Sequence, residues 1–452
     1  MMPDYRLALT GDSLITRPLS TIADDDLAAL KRLIGSVDFA FTNLEFIAAH
    51  PPFVPRPRWN GLHVYAAATV LDELKDLGFN LFSLAHNHTM DYSGGGLLQT
   101  LQAIGERQMV AAGAGTTLTQ ARRPHYLDRS GYRASIIAAC ATEADQTIAC
   151  DPDGMVDGRP GLSGLRYATR YELLPRQYQA LSEIDEALGT AEGTRQAEAL
   201  SLTLDPDAAK KKTVRSFRFL GSRFVEGSSA KIERHPNKLD VDDICRWIHD
   251  ARRQSDLVVV SLHCHEGAHG QYNADNVAEF AIEAAKTFID AGADVFAGHG
   301  PHQLAAMEMY RGKPIFHSLG NFAFMVETVE TVPEEFLLAA GLPPRSTGSD
   351  FQDMREGPER GAKGFSGATA FWEAVIPVCG FGDGRIASIE LWPIVLWLGP
   401  SRARRGVPAM APKAEGKKIL ERFAHLSEPF GTKIALDERD GRTIGHVVLD
   451  SA

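Results

Sequence analysis

Short runs of apolar residues alternate along the chain with longer stretches in which apolar side chains recur every three or four positions. The short runs predict buried strands, and the longer stretches predict amphipathic helices. Their alternation is typical of a layered α/β architecture in which helices cover sheets of mostly buried strands. We predict strands at 5–11, 39–43, 81–84, 109–112, 257–262, 294–297, 372–378 and 386–397, and helices at 25–34, 66–77, 94–107, 240–254 and 273–291.

The alternation is interrupted twice, and the interruptions define the predicted domain organisation. Residues 141–240 are rich in charge and poor in apolar periodicity apart from a helical stretch at 171–200, and we interpret them as an insertion. Residues 328–370 carry several prolines, glycines and acidic residues, which is typical of a long irregular loop that acts as a lid. We therefore predict one catalytic domain over residues 1–400 and a C-terminal extension, residues 401–452, packed on it.

The composition narrows the class of protein. The chain has 452 residues, of which 44% are hydrophobic and 23% are charged, as expected of a globular protein with a large core. The formal net charge of −11 argues against a nucleic-acid partner, because a negative surface repels phosphate backbones. No apolar run approaches the roughly 18 to 20 residues of a membrane span, and no signal peptide is apparent, so we expect a cytoplasmic protein without a membrane anchor. The five cysteines form no CxxC pair, and we expect free thiols.

Five clusters of metal-capable side chains lie at or just after predicted strand ends. Because the carboxyl ends of parallel strands meet at one edge of an α/β sheet, residues far apart in sequence can converge there. Carboxylates, an amide oxygen and imidazoles suit divalent Zn, Mn, Fe or Ni, and so many ligands favour two ions that share a bridging carboxylate. Any one of the histidines is equally well explained as a hydrogen-bonded residue, and only the five clusters together favour a metal site. The clusters are Asp12; Asn43 and Glu45; His86, Asn87 and His88; His263 and His265; and His299 and His302.

The clusters, in this order, resemble the motifs of the CapA/PgsA-type family named for poly-γ-glutamate capsule synthesis, a branch of the calcineurin-like metallophosphatase superfamily. The similarity covers about residues 5 to 325 and is interrupted at 141–240. The resemblance implies a four-layer α-β-β-α sandwich with insertions and with metal ions at the strand ends. The matching segments are Gly11-Asp12, Asn43-Leu44-Glu45, Asn87-His88 with Asp91, His263, Gly298-His299-Gly300-Pro301-His302, and Gly312 to Phe322.

The resemblance also implies a ligand set for two divalent ions. His88 corresponds to the superfamily's catalytic histidine, which is not a ligand and acts as a general acid. The superfamily places a further histidine two residues after the aspartate, where this chain has Leu14, so one ion is expected to have fewer ligands. The implied ligands are Asp12, Glu45 and His302 for one ion, and Glu45, Asn87, His263 and His299 for the other, with Glu45 bridging.

Additional imidazoles and a proline-rich segment surround these motifs. His86 and His265 are interpreted either as acid/base groups tuned by nearby cations or as hydrogen-bond partners of the ligands, and we predict catalytic roles for both. The proline-rich segment 51–60 follows Glu45 and is either a structural loop or a grip on an anionic or peptidic substrate. The predicted substrate-binding residues are Asn43, Arg56, Arg58, Trp59 and His317.

Three functions are compatible with these features. The first is a metal-dependent hydrolase that cleaves a phosphoester or amide of a small molecule or peptide carrying a carboxylate or a phosphate, because hydrolysis is the default chemistry of the implied fold. The second is a metal-assisted peptide epimerase in which His86 and another histidine move an α-proton, since some relatives resemble such enzymes. The third is a non-catalytic protein that binds or assembles an anionic polymer in poly-γ-glutamate biosynthesis. Typical relatives are membrane-anchored, which counts against the capsule role, and no oligomeric state follows from the sequence.

Overall fold

The computed structural model describes residues 4–21, 25–57, 61–200, 202, 215–357 and 363–449, and its strands and helices are numbered here in chain order. The strands are β1 (Tyr5–Leu14), β2 (Phe39–Leu44), β3 (Ile47–Ala48), β4 (Tyr65–Ala66), β5 (Leu81–Ser83), β6 (Val110–Ala112), β7 (Ala114–Gly115), β8 (His125–Arg129), β9 (Tyr132–Cys140), β10 (Gly161–Leu162), β11 (Tyr167–Leu173), β12 (Ser216–Phe219), β13 (Ser222–Glu226), β14 (Lys231–Pro236), β15 (Leu257–His263), β16 (Val295–His299), β17 (Met307–Tyr310), β18 (Lys313–Phe316), β19 (Asn321–Phe324), β20 (Glu373–Gly382), β21 (Arg385–Leu396), β22 (Pro408–Met410), β23 (Ile434–Arg439) and β24 (Arg442–Val447). The helices are α1 (Asp25–Gly35), α2 (Val70–Leu77), α3 (Ser93–Glu106), α4 (Leu118–Arg122), α5 (Ala144–Thr147), α6 (Pro175–Leu188), α7 (Thr190–Ala199), α8 (Lys238–Arg252), α9 (Glu279–Asp290), α10 (Glu334–Ala339), α11 (Gly348–Glu356) and α12 (Lys413–Ser427).

Most of the strands belong to two large sheets. Ten strands form the first sheet, in the order β23-β24-β21-β20-β1-β2-β5-β6, with β19 beside β1 and β22 beside β21. Six strands form the second sheet, in the order β17-β18-β16-β15-β9-β8. A separate four-stranded sheet has the order β12-β13-β11-β14 and lies within the predicted insertion.

Side chains of the central strands alternate between two faces, and each face is covered by a different layer. In β1, Leu7 and Leu9 belong to the core between the two sheets, whereas Ala8 belongs to the core under α1, α2 and α3. In β15, Val259 lies in the core between the sheets, whereas Val258 and Val260 pack with α8 and α9. The predicted α/β fold, a four-layer α-β-β-α sandwich, is therefore confirmed.

Parallel pairing brings the carboxyl ends of the central strands to one edge of the sandwich. In the first sheet β1, β2, β5 and β6 are parallel, and in the second sheet β9, β15 and β16 are parallel. Asp12 at the end of β1 lies opposite Asn43 of β2 and Asn321 of β19. His263 at the end of β15 lies opposite His299 of β16. Polar residues from both sheets thus meet at the same edge.

The segments outside the regular alternation have defined structures. The insertion at 141–240 contains the four-stranded sheet with α6 and α7. The segment 328–370, expected to be irregular, contains α10 and α11, which bury Phe336 and Phe351 in the core of the first sheet. Residues 401–452, predicted as an extension, contribute β22, β23 and β24 to that sheet, and α12 buries Leu420 and Phe423.

Two further expectations concern membranes and cysteines. None of the helices in the described part of the chain combines the length and the apolar character that a bilayer crossing demands. All five cysteines carry free thiols, as predicted.

Candidate metal centre

Two carboxylates and three histidines form the middle of the cluster at this edge, and none of the five residues is more than 5% exposed. Oδ1 of Asp12 lies 3.2 Å from Nδ1 of His299 and 3.6 Å from Nδ1 of His263, and Oδ2 lies 3.4 Å from Nδ1 of His302. The Glu45 carboxylate lies 3.8 Å from Nε2 of His263 and 3.9 Å from Nδ1 of His302. Two ligand atoms that bind the same ion, each about 2.0 to 2.2 Å from it, lie at similar distances from each other.

Potential ligand atoms assemble in three overlapping groups, each with all its atoms within 4.8 Å of one another. One group matches the ligand set implied for the first ion. The second implied set is reproduced only in part, because His299 lies with Asp12, and His265 lies beside Glu45 in its place. Asn87 borders this second group, with Oδ1 3.1 Å from Nε2 of His263. The groups are Asp12, Glu45 and His302; Asp12, His263 and His299; and Glu45, His263 and His265.

The backbone directly after β16 has an unusual conformation at the cluster. Gly300 has a φ of 116°, and a Cβ atom there would lie 2.8 Å from the backbone nitrogen of Cys264, so the position requires glycine. The Gly300 N–H donates a 2.9 Å hydrogen bond to Oδ2 of Asp12, which joins the second sheet to the first. His302 also has a left-handed conformation, with a φ of 60°, which is uncommon for a residue with a side chain and clusters at functional sites.

Polar side chains that the sequence reasoning did not single out contact the histidines of the cluster. Such contacts fix the tautomer and the orientation of an imidazole that binds metal. Asn321 lies in a matched family segment and could have been noticed there, whereas nothing in the local sequence distinguishes Ser261 or Asn273. The contacts are Asn321 Oδ1 to His302 Nδ1 at 2.9 Å, Ser261 Oγ to His299 Nε2 at 2.6 Å, and Asn273 Oδ1 to His265 Nδ1 at 2.5 Å.

The surroundings favour the protonation states that bind metals. Burial alone would raise the pKa of Asp12, but hydrogen bonds with His263, His299 and His302 outweigh it and hold that pKa well below its ordinary value. Burial lowers the pKa of His263 to about 4, although Asp12 opposes the shift. Burial and the neighbouring His263 also lower the pKa of His265. At neutral pH the Asp12 carboxylate is ionised and these two imidazoles are neutral, as metal ligands must be.

The donor set fits divalent cations. Asp12 and Glu45 place two carboxylates in a fully buried region, where charge of one sign is costly without a compensating cation. Asn43 is also fully buried, and among the described residues its side-chain oxygen has no hydrogen-bond partner. A buried acceptor beside two carboxylates is a group that a bound cation would satisfy. Oxygen and imidazole donors together suit Mn, Zn, Fe or Ni.

A cleft of about 340 Å³ borders the cluster. Its volume is at the small end of the range for sites that bind small molecules, roughly 300 to 1,000 Å³. Residues of the cluster contribute polar side chains to its lining, and the segment 328–370 contributes aromatic side chains and one arginine. The lining includes Asn87, His88, His265, Asn273 and His302 on the one hand, and Phe336, Phe351, Arg355 and Phe365 on the other.

His88 lines the cleft and is held by Asp91. Nδ1 of His88 lies 2.6 Å from Oδ2 of Asp91, and the same oxygen accepts a 2.8 Å hydrogen bond from the backbone N–H of Val64. Nε2 of His88 lies 3.9 Å from Oε1 of Glu45. The imidazole therefore has one nitrogen fixed by a buried carboxylate and the other beside the cluster, as predicted for a proton-transfer group.

The structure places two of the additional histidines away from the cleft. His86 is 1% exposed, its ring lies 6.2 Å from the His263 ring, and the described lining of the cleft does not include it. Burial, followed by the neighbouring His263, lowers its pKa. Nε2 of His317 lies 3.3 Å from Glu308, and its ring lies 5.1 Å from that of Phe430. Neither ring lines this cleft, so the structure adds no support to the predictions that His86 is catalytic and that His317 binds substrate, and both stay predictions.

The other predicted substrate-binding residues lie away from the cleft or outside the described residues. Asn43 is fully buried and donates a 2.8 Å hydrogen bond from Nδ2 to Oδ1 of Asp12. The guanidinium of Arg56 lies 2.5 Å from the Glu143 carboxylate, which already pairs its charge. Arg58 and Trp59 lie outside the described residues. Sequence reasoning missed Arg355, the cation that lines the cleft.

Comparison with known proteins identifies several relatives. Residues 6–326 match the model of the family described as bacterial capsule synthesis protein PGA_cap. The protein y4sH of Sinorhizobium fredii, which is named as uncharacterized, is 28% identical over 97% of this chain and 92% of its own length. The capsule biosynthesis protein CapA of Bacillus anthracis is 26% identical over 58% of this chain and 44% of its own length. A probable polyglutamine synthesis accessory protein of Mycobacterium tuberculosis is 35% identical over 20% of this chain and 22% of its own length.

Proposed function

We propose that this chain, which belongs to the PGA_cap family of bacterial capsule synthesis proteins, is a metal-dependent hydrolase that cleaves a phosphoester or an amide of a carboxylate-bearing substrate. One observation carries the proposal. Two buried carboxylates from the first sheet, Asp12 and Glu45, converge with four imidazoles from the second sheet beside a cleft of ligand size. No structural role explains why a protein core would gather so many ionisable groups at one strand edge, because their burial is costly.

The proposal assigns the cluster to two divalent ions. Asp12, Glu45 and His302 would hold one ion, and Glu45, His263 and His265 would hold the other, so that Glu45 is shared. When bound, such ions supply Lewis acidity to the scissile group and activate water for attack. The resemblance implies Glu45, Asn87, His263 and His299 for the second ion. The assignment proposed here has His265 instead of His299 and does not include Asn87, which borders the group.

His88 is assigned the transfer of a proton to the leaving group. An ionised Asp91 can only accept a hydrogen bond, so the contact at Nδ1 fixes a proton on that nitrogen and directs Nε2 towards the cleft. In its cationic form His88 donates the Nε2 proton, and Asp91 stabilises that cation through the 2.6 Å contact. Asp91 acts only through His88 and is a positioning residue.

The test combines metal analysis with turnover. We expect the purified protein to retain Mn, Zn, Fe or Ni by elemental analysis and to hydrolyse 4-nitrophenyl phosphate or γ-glutamyl 4-nitroanilide when one of these metals is supplied. His88→Asn should lower kcat by about 10² to 10⁴ without loss of bound metal, since general acid catalysis contributes factors of this size. The exposed His425 provides a matched control, and His425→Asn should behave as the wild type. A protein that binds none of these metals and gains no activity from them would contradict the proposal.

A second candidate function rests on one further observation. His88 and His265 both line the cleft, so two imidazoles are available to remove and return an α-proton in a peptide epimerase. Entry of solvent deuterium at a Cα position of a peptide, without cleavage, would favour this function over hydrolysis. Binding of poly-γ-glutamate without any turnover and without metal would favour the non-catalytic alternative.

A further inference from the structure

The cleft contains a cation that the proposed hydrolysis does not use. Arg355 lies near the end of α11, and its guanidinium carbon is 4.8 Å from the ring centre of Phe365 and 5.5 Å from that of Phe351. The side chain lines the cleft that borders the metal centre. Within the described part of the chain it makes no hydrogen bond and no ion pair, and its contacts are with the two aromatic rings at the cleft.

The carboxylates nearest to Arg355 are engaged by other arginines. Nη1 of Arg405 lies 2.8 Å from Oε2 of Glu327, and Arg405 also contacts Glu356. Nη2 of Arg402 lies 2.9 Å from Oε2 of Glu356. These contacts join the end of α11 to the segment that follows β21. They hold the end of α11 in place, and among the described residues they leave Arg355 without a hydrogen-bonded acidic partner.

A guanidinium in this position is poised to bind an anion. The aromatic side chains around it exclude water, and burial lowers the pKa of Arg355, with Glu327 and Glu356 acting in the opposite direction. An arginine remains protonated in spite of such a shift, so the cation is retained. An oxyanion that enters the cleft replaces the missing partner in a region of low dielectric, where the attraction is stronger than in water. The flat fork of N–H donors matches the paired oxygens of a carboxylate or of a phosphate.

We propose that Arg355 binds a carboxylate of the substrate at a point removed from the bond that is cleaved. This inference rests on the proposed function, because it takes the metal centre as the place of reaction. The centre of the Phe365 ring lies 5.8 Å from the centre of the His302 ring and 4.8 Å from the guanidinium carbon of Arg355. The distance between the His302 ring and the guanidinium therefore cannot exceed the sum of these two distances. At about 3.3 to 3.6 Å per extended residue, the carboxylate lies within about three residues of the reacting bond. A γ-glutamyl dipeptide has this length and charge.

Three variants test the subsite by binding. Arg355→Met keeps an unbranched apolar stem against the two rings and removes the charge, whereas Arg355→Lys keeps the charge and loses the fork. Arg246→Met is the matched control, because Arg246 also lies over an aromatic ring, 4.4 Å from the ring centre of Trp247, outside the cleft. The probe is γ-glutamylglutamate, titrated calorimetrically, with inorganic phosphate as a second probe.

We expect Arg355→Met to weaken binding of γ-glutamylglutamate by about 10- to 100-fold, as the loss of a charged hydrogen bond predicts. Arg355→Lys should bind with intermediate affinity, and Arg246→Met should bind as the wild type does. Unchanged melting temperatures would show that the variants are folded. Binding by Arg355→Met at the wild-type level, no binding by the wild type, or a larger loss of affinity for phosphate than for the dipeptide would each overturn the carboxylate subsite.

Kinetics separate this inference from the proposed function. Arg355→Met should raise KM for γ-glutamyl 4-nitroanilide by about the same factor as it weakens binding of the dipeptide, and it should leave kcat unchanged. Hydrolysis of 4-nitroacetanilide, which carries no carboxylate, should not change. An equal effect on both substrates would contradict the subsite and leave the hydrolase proposal standing. Absence of turnover in the wild type would contradict the hydrolase, and the calorimetric titration would still decide on Arg355.

Discussion

Replacing Asp12 with asparagine tests the metal centre through stability, without a substrate. Asp12 belongs to two of the three groups of potential ligands, and it is fully buried among His263, His299 and His302. The asparagine side chain has the same shape and can still accept the hydrogen bond from the Gly300 N–H, but it loses the one from Nδ2 of Asn43 and lacks the negative charge that binds a cation. The substitution therefore changes metal affinity far more than it changes packing.

The expected magnitude follows from the coupling of binding to folding. A metal at a concentration 100 times its Kd stabilises the folded protein by about 2.7 kcal/mol. If Asp12→Asn weakens binding about 100-fold, the same concentration equals the new Kd, and the stabilisation falls to about 0.4 kcal/mol. The quantity to compare is the difference between the metal-loaded and the metal-free protein, because that difference cancels effects of the substitution on the folded state itself.

The assay is thermal or denaturant unfolding with a chelator and with added MnCl₂ or ZnCl₂. Asp240→Asn is the matched control, because Asp240 is also buried, at 1% exposure, but its oxygens contact Arg122 at 2.6 Å and Arg166 at 2.8 Å, outside the cluster. This control should lose stability in both conditions and keep the full metal-dependent increment. A wild-type protein with no increment, or an Asp12→Asn variant with an undiminished one, would refute the assignment of Asp12 as a ligand.

Three further predictions concern the partner of the histidine proposed as general acid, a glycine and a titrating group. Asp91→Asn should lower kcat by about tenfold or more and leave KM nearly unchanged. The substitution removes a charged hydrogen bond, worth roughly 1.5 to 3 kcal/mol, from the cationic form of His88. The pH–rate profile of the variant checks this prediction. Gly300→Ala should lower the free energy of unfolding by about 1 to 3 kcal/mol or more in urea titrations, whereas Gly312→Ala, with a φ of 73° and open space at its Cβ, should cost only the backbone strain. Burial lowers the pKa of His125 from 6.5 to about 4 in the folded protein. As the pH falls from 6.5 towards 4, the unfolded chain therefore binds a proton at His125 before the folded protein does, and the free energy of unfolding decreases. His125→Phe should therefore lose less stability than the wild type over that window, as measured by urea midpoints at several pH values.

The elements that follow from local pattern were predicted accurately, and errors arose where tertiary contacts decide. The run at 257–262 is buried on both faces and forms β15 (Leu257–His263) as expected. The helix predicted at 66–77 begins only at Val70, because residues 65–66 pair with β3. The helix predicted at 171–200 begins at Pro175, because residues 167–173 form β11 between β13 and β14. Such pairing partners are far away in the sequence and leave no local signal.

The same distinction explains which parts of the site were predictable. The ligand residues follow strands, and parallel strand ends meet at one edge, so the convergence of Asp12, Glu45 and His263 could be inferred from the chain alone. Asn273 could not be inferred, since it reaches His265 from the loop between β15 and α9. Arg355 could not be inferred either, because its place at the cleft depends on how α11 packs.

The cleft is built from two regions of the chain, of which only one lies within the segment that matches the family model. The metal centre is built from strand ends within residues 6–326, the part that matches the family. Arg355 and the rings that flank it, Phe351 and Phe365, come from beyond residue 326. On the proposals made above, the reaction takes place in the segment that matches the family, residues 6–326, and the substrate carboxylate is bound by a residue outside this segment. Relatives that match only residues 6–326 are then informative about the reaction but not about the substrate. The Asp12 and Arg355 variants separate these two contributions, because the first should greatly reduce metal-dependent stabilisation and the second should leave it intact.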